Sequence, residues 1–199
     1  MNELHVHMKE CAAEAARVAR GVRPGQLGDP TPCSEFDVRK LINHWVLYTS
    51  HGLEHRALRT PIPEELTERD FAAEEGWAEA YAAQLDRAVA AWSDPAAWEG
   101  EVDLGFAASP AGTIAELIIK ETAVHGWDVA RATGQEFRVS PEVGELLLKV
   151  VEENAEMYRQ YDGFADPVDL GTDAGAGGGT ATAFERALAL SGRDPRWTP

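Results

Sequence analysis

Cysteine is scarce in this chain: Cys11 and Cys33 are the only two among 199 residues. One disulfide is the most they can form, which excludes a disulfide-stapled scaffold and favours reduced thiols in a cytoplasmic setting. Basic charge is short as well. Against 34 acidic residues stand 18 Lys and Arg, for a net charge of -16. A surface of that sign repels phosphate backbones and anionic lipid, so neither nucleic acid nor a membrane surface is an expected partner. A metal ion or small cationic ligand is the more natural guest. No apolar run approaches the ~20 residues of a membrane span. The opening MNELHVHMKECAAEAARVAR lacks the cationic start, apolar stretch and cleavage site of a signal peptide. Catalytic signatures are missing too. There is no G-x-S-x-G elbow, no Walker loop, and no G-x-G-x-x-G between a strand and a helix, which removes serine-hydrolase, P-loop and dinucleotide chemistry.

What is present is helical periodicity. At 44% hydrophobic the chain can bury an ordinary core. Leu4, Met8, Cys11, Ala12, Ala15, Val18 and Ala19 recur at helical spacing and predict a first helix closed by Gly21 and Pro24. A Gly/Pro-rich loop follows. A second helix starts near Ser34 or Asp37 and stops before Pro61. Thr67 and Asp70 have capping-box spacing, which predicts a third helix over 70–93. Val102, Leu104 and Phe106 alternate with smaller or polar residues, as in a short extended segment, and Ser109 to Gly112 reads as a turn. Thr113 and Glu116 form a capping box for a fourth helix that ends at Gly134. Ser140-Pro141-Glu142 opens a fifth, over 141–160. Residues 163–179 form a linker, and Thr182 with Glu185 caps a short terminal helix stopping at Gly192. Trp197 is expected to hold the tail on the body. The fold class is therefore all-α, organised as a helical bundle over 1–162. A Gly-rich linker and short terminal helix, packed on that bundle, follow over 163–199.

Two segments carry chemistry. On the second helix, His44, Tyr48, His51 and His55 fall within roughly 60° of one another at helical spacing. On the fourth, Glu121 and His125 are four apart, so their side chains project from one face. A carboxylate and an imidazole so placed can bind one metal ion, and a third ligand from a facing helix completes a three-point site with an open position. His44 is the natural third member, and His51 a candidate for closing the site. The same Glu–His spacing also suits a surface ion pair worth a few tenths of a kcal/mol. His5 and His7, near the terminus, are expected to face solvent. Trp45 and Trp127 read as packing, Asp128 with Arg131 as a local salt bridge, and Cys33 as a small apolar residue before a helix.

Taken in order, TPCSEFDVRKLINHWV, ELIIKETAVHGWDVARATG and GRDPRW resemble the DinB-like superfamily. Within it, the chain resembles the branch containing the mycothiol-dependent maleylpyruvate isomerase N-terminal domain. The resemblance spans roughly residues 5–160 and, more weakly, the tail, with Phe36 where the family usually carries Trp. It implies a DinB-like four-helix-type bundle with an irregular C-terminal arm. It also implies a divalent metal, most often zinc (with nickel or iron as other candidates), on His44, Glu121 and His125. The implied activity is a mycothiol-dependent isomerase or S-transferase acting on a small electrophile. A metal-dependent hydrolase, or a non-catalytic metal-dependent sensor or interaction module, stays open. Bundles of this sort often form homodimers, though no sequence feature selects that state.

Overall fold

The computed structural model describes residues 2–105, 107–161, 163–171 and 180–199. Phe106 of the alternating segment and positions 172–179 of the Gly-rich linker lie outside these. The first long helix, α1 (Glu3–Gly21), is capped by the Asn2 side chain and buries Met8, Cys11, Ala12, Ala15, Val18 and Ala19. That is the predicted stripe with the predicted end. His5 and His7 belong to the buried face as well, against expectation: His5 Nε2 lies 2.9 Å from the Val89 carbonyl. An imidazole near a chain terminus is drawn inward when a neighbouring helix offers its ring an acceptor.

Asp37 caps the second helix, accepting the Lys40 N–H. This helix is not continuous. It runs as α2 (Val38–Val46), passes through a wide π turn at Leu47–His51, and resumes as α3 (Gly52–Ala57). The local cause is visible in the side chains. Thr49 and Ser50 hydroxyls donate to the carbonyls of Trp45 and Val46, at 2.7 and 2.6 Å. Hydroxyls bonded four residues back compete with the backbone ladder and bend helices. A wide turn holds about one extra residue, which rotates the faces of α3 by roughly 100° relative to those of α2.

A short α4 (Glu64–Thr67) and a single 3-10 turn, Phe71–Ala73, precede α5 (Trp77–Ala91). The predicted box at Thr67 and Asp70 does not cap a helix. Asp70 is engaged elsewhere, accepting from Arg39 and from Asn43 Nδ2, while Asn43 Oδ1 accepts the Ala72 N–H. The helix begins instead after Gly76, whose positive φ of 74° reverses the chain.

The extended segment is a two-stranded antiparallel hairpin. Strand β1 (Glu101–Asp103) pairs with β2 (Ala108–Pro110), Val102 facing Ser109. The expected turn at Ser109 is thus partly strand. The next helix, α6 (Ala111–Ala132), starts two residues before Thr113, so the Thr113–Glu116 box is not used as a cap. Then come α7 (Pro141–Gln160), capped by Ser140 as predicted, and α8 (Ala183–Leu190), whose Thr182–Glu185 capping box forms in full.

Helices α1, α2–α3, α5 and α6 form the four-helix core, and α7 leans on α6 and carries α8. Trp45, Trp92, Tyr81 and Leu41 are fully buried at its centre. The rings of Trp45, Tyr81 and Trp92 each have a partner for their polar atom, as buried aromatics require. Trp45 Nε1 donates to the Thr122 carbonyl at 3.1 Å, and Trp92 Nε1 to that of Leu53 at 2.8 Å. The first of these bonds sets the register of α2 against α6. Among the described residues, no helix is long and apolar enough to cross a membrane.

Candidate metal centre

His44 stands next to Trp45 on α2, and Glu121 next to Thr122 on α6. The bond from Trp45 to the Thr122 carbonyl therefore locks the two helices at the level where His44 and Glu121 meet. His44 Nε2 lies 3.9 Å from Glu121 Oε2, and His125 Nε2 lies 3.0 Å from the same oxygen. The two imidazole rings meet edge-on, with centroids 4.9 Å apart. One donor atom from each of the three residues falls within a 4.8 Å cluster. His44 is kept in place on its outer side by the rings of Phe36 and Tyr48, at 5.4 and 4.7 Å.

Behind His125 runs a chain of charge. Its Nδ1 lies 3.1 Å from Asp128 Oδ2, which accepts its N–H. Asp128 in turn accepts from the guanidinium of Arg193, at 3.1 Å from Nη2 and 3.3 Å from Nε. Asp128 is fully buried and Arg193 is only 5% exposed. Asp128 thus turns away from Arg131, its expected partner, which donates to the Trp197 carbonyl at 3.1 Å. At 100° per residue an i,i+3 pair can meet, but a buried guanidinium from the tail satisfies Asp128 on more of its lone pairs.

The electrostatics follow from this arrangement. Burial alone would raise the Glu121 carboxyl. The Lys120 ammonium and the nearby His125 and His44 imidazoles outweigh it and hold that carboxyl well below the usual range. Burial likewise works against a charged His125, but Asp128 and Glu121 overcome it and leave its pKa raised. Asp128 is pushed up by burial and pulled down further by Arg193 and His125, ending low.

These groups form one wall of a cavity of about 310 Å³. Lys120 closes another wall and pairs with Glu121 Oε1. It is 2% exposed, its ammonium 4.2 Å from the centre of the Tyr158 ring. Cys33 lines the same cavity, with its sulfur in a cluster with His125 and Asp128 donor atoms. Burial pushes its thiol up, against the opposing pull of Arg193.

The structure therefore brings His44, Glu121 and His125 together and leaves His51 and His55 out. His51 stacks on Phe71 at 5.5 Å and lines a separate cavity with Arg69, Trp77 and Arg87. His55 bonds the Thr60 hydroxyl at 2.8 Å. The wide turn is the reason: a uniform α-helix would have aligned all of them. Trp45 and Trp127 pack, as expected. Gly126, directly after His125, is needed for close approach, since a Cβ there would overlap the Phe137 ring. Sequence reasoning missed Lys120, Cys33 and Arg193. A lysine inside the apolar run LIIKETAV was a readable sign for the first, and Arg193 lay in the GRDPRW stretch. Cys33 stands just before a helix start, a position that favours a thiolate.

The donor chemistry fits a zinc-like ion. Tetrahedral ligands about 2.1 Å from zinc stand roughly 3.4 Å apart, and the observed separations of 3.0 and 3.9 Å bracket that value. The Asp128–His125 pair matches the carboxylate support that metal-bound imidazoles commonly have.

The helical bundle is of the DinB-like class. Within that class the chain belongs to the mycothiol maleylpyruvate isomerase N-terminal domain family, whose model matches residues 8–130. Two uncharacterized proteins of Mycobacterium tuberculosis, from two strains, are each 32% identical over 143 residues, covering 72% of this chain and 74% of the relative. The crystal structure of the mycothiol-dependent maleylpyruvate isomerase has a similar fold. The TM-score is 0.66 at 13% identity, covering 97% of this chain and 89% of that one.

Proposed function

We propose that this protein binds one divalent metal ion, most suitably zinc, through His44, Glu121 and His125. With a small thiol of the mycothiol kind, it acts on a small electrophilic substrate as an isomerase or S-transferase. The observation that carries this reading is the convergence of His44 Nε2, Glu121 Oε2 and His125 Nε2 on one cavity wall, braced by Asp128 and Arg193. Family membership supports the thiol.

When bound, the ion would supply the Lewis acidity that keeps a thiol, or a water, deprotonated at neutral pH. The residues do the rest. His44 and Glu121 come from different helices, so the ligand set is fixed by the α2–α6 packing rather than by a mobile loop. Asp128 holds the His125 Nδ1 proton, leaving Nε2 free to ligate. Lys120, Tyr158 and Phe164 wall the cavity and limit the entry of water.

A thiol held in the cavity would supply a nucleophilic sulfur. Reversible addition to a cis double bond would return the trans alkene and the same thiol with no net proton change, and displacement of a leaving group would make the protein a transferase.

A structural metal staple would need a fourth protein ligand. His51, the sequence candidate for it, lies in a different cavity. That removes His51 as the closing ligand and leaves Cys33, on the same cavity, as the other protein donor nearby. Elemental analysis of wild type beside His125→Ala tests the reading. About one divalent metal per chain in wild type and none in the variant is the expected result. No metal in either, after incubation with zinc or nickel, would overturn it.

A further inference from the structure

Lys120 is the least expected residue in the cavity wall. Its side chain is 2% exposed, a condition that a charged group tolerates only with a close partner. Its ammonium lies 4.2 Å from the centroid of the Tyr158 ring and 5.3 Å from that of Phe164. Those two rings stack on each other with centroids 4.7 Å apart. Its ionic partner is Glu121, through Oε1 alone. Adjacent helical residues point about 100° apart and do not ordinarily face one another. The long lysine stem must curl around α6 to make this contact, and the ring pair holds it there.

The division of labour on Glu121 is the consequence. Oε1 is the oxygen that pairs with Lys120, while Oε2 is the one nearest His125 and His44. We infer that Lys120 is a positioning residue that restricts Glu121 to single-oxygen ligation of the metal, and so keeps one coordination position open. This rests on the proposed metal site itself. Zinc-type sites expand readily from four to five ligands. A carboxylate with both oxygens free would add its second oxygen beside the solvent ligand, raise the coordination number to five and crowd the position an incoming thiol needs. Lys120 also places a positive charge beside the site, so it weakens metal binding while preserving the geometry for an incoming thiol.

That combination separates a positioning role from a merely structural one. A buried residue kept only for packing would, when replaced, loosen the site and weaken metal binding. Lys120→Met should instead tighten it, by about tenfold or more, because a unit charge a few ångströms from a dication is lost.

The experiment strips the purified full-length protein with a chelator and titrates it with Co²⁺, whose visible absorption weakens as coordination rises from four to five. Wild type is expected to give the intense four-coordinate spectrum at one Co²⁺ per chain. Lys120→Met should bind Co²⁺ more tightly with the weaker five-coordinate spectrum, and Lys120→Arg should restore the intense one. Should the Met variant fail to fold by circular dichroism, Lys120→Gln gives the charge-removal comparison through its tightened affinity. An unchanged spectrum in Lys120→Met, or weaker binding in whichever neutral variant folds, overturns the inference while leaving the metal site standing. Failure of wild type itself to bind Co²⁺ defeats the metal reading and this inference with it.

Discussion

His44 and His51 sit on the same interrupted helix, and each has a phenylalanine ring at nearly the same distance: Phe36 at 5.4 Å for the first, Phe71 at 5.5 Å for the second. Their surroundings otherwise differ completely. His44 meets a carboxylate and a second imidazole from α6. His51 lies among Arg69, Arg87 and Trp77, on the far side of the wide turn. Spacing along one helix made the two equivalent. The opposing helix decides between them, since α6 brings a carboxylate oxygen within 3.9 Å of the His44 ring nitrogen and a second imidazole beside it. A histidine becomes a candidate ligand through the groups that converge on it, and the Thr49 and Ser50 hydroxyls that open the turn do the sorting.

The comparison can be broken first at its deepest point. Arg193→Met leaves the Asp128 carboxylate buried without its guanidinium, a loss worth about 3–5 kcal/mol where a buried pair is halved. Thermal unfolding should register it as a large drop in the midpoint. A change of under about 1 kcal/mol would mean that Asp128 gains water or relies on His125 alone.

Metal binding sharpens the contrast next. His44→Ala should lower metal affinity by more than Asp128→Asn, which removes only the support behind a ligand and is expected to cost about 10–100-fold. His51→Ala should leave affinity where it was. Isothermal titration of the three variants ranks them, and a loss in the His51 variant would contradict the separation of the two cavities.

The smallest effect concerns acid. Burial, helped by Arg69, His55 and Arg87 and opposed by Glu54, holds His51 below its ordinary value of 6.5. The folded protein therefore takes up fewer protons than the unfolded chain as pH falls below 6.5. Stability is full above that pH and declines on the acid side of it. His51→Leu should flatten the denaturation midpoint between about pH 7 and pH 5 relative to wild type. An unaltered slope would show that His51 titrates as it does in water.

Much of the architecture was legible because it depends on local rules. The α1 stripe, the Ser140 cap and the Thr182–Glu185 box are all short-range patterns, and all form. The boxes at Thr67 and Thr113 follow the same rule and fail. Asp70 is claimed by Arg39 and Asn43 from a distant helix, and α6 begins earlier, at Ala111, directly after β2. The convergence of His44, Glu121 and His125 was legible because spacing on α6 supplied two members and a histidine on the facing helix the third, in agreement with the family resemblance. Its braces were not. Arg193 and Asp128 are 65 residues apart, and Lys120 is paired with the neighbour that helical geometry would turn away. Long-range pairing of buried charge leaves no periodic trace.

That separation of 65 residues has a consequence for how the molecule comes into being. Synthesis is vectorial. The helices that carry His44, Glu121 and His125 are all made before α7, α8 and the arginine beyond them. A nascent chain can thus assemble the three ligands while Asp128 still stands as an uncompensated anion in the forming core. The support behind His125 is thus complete only when Arg193 pairs with Asp128, after all three candidate ligands have been made.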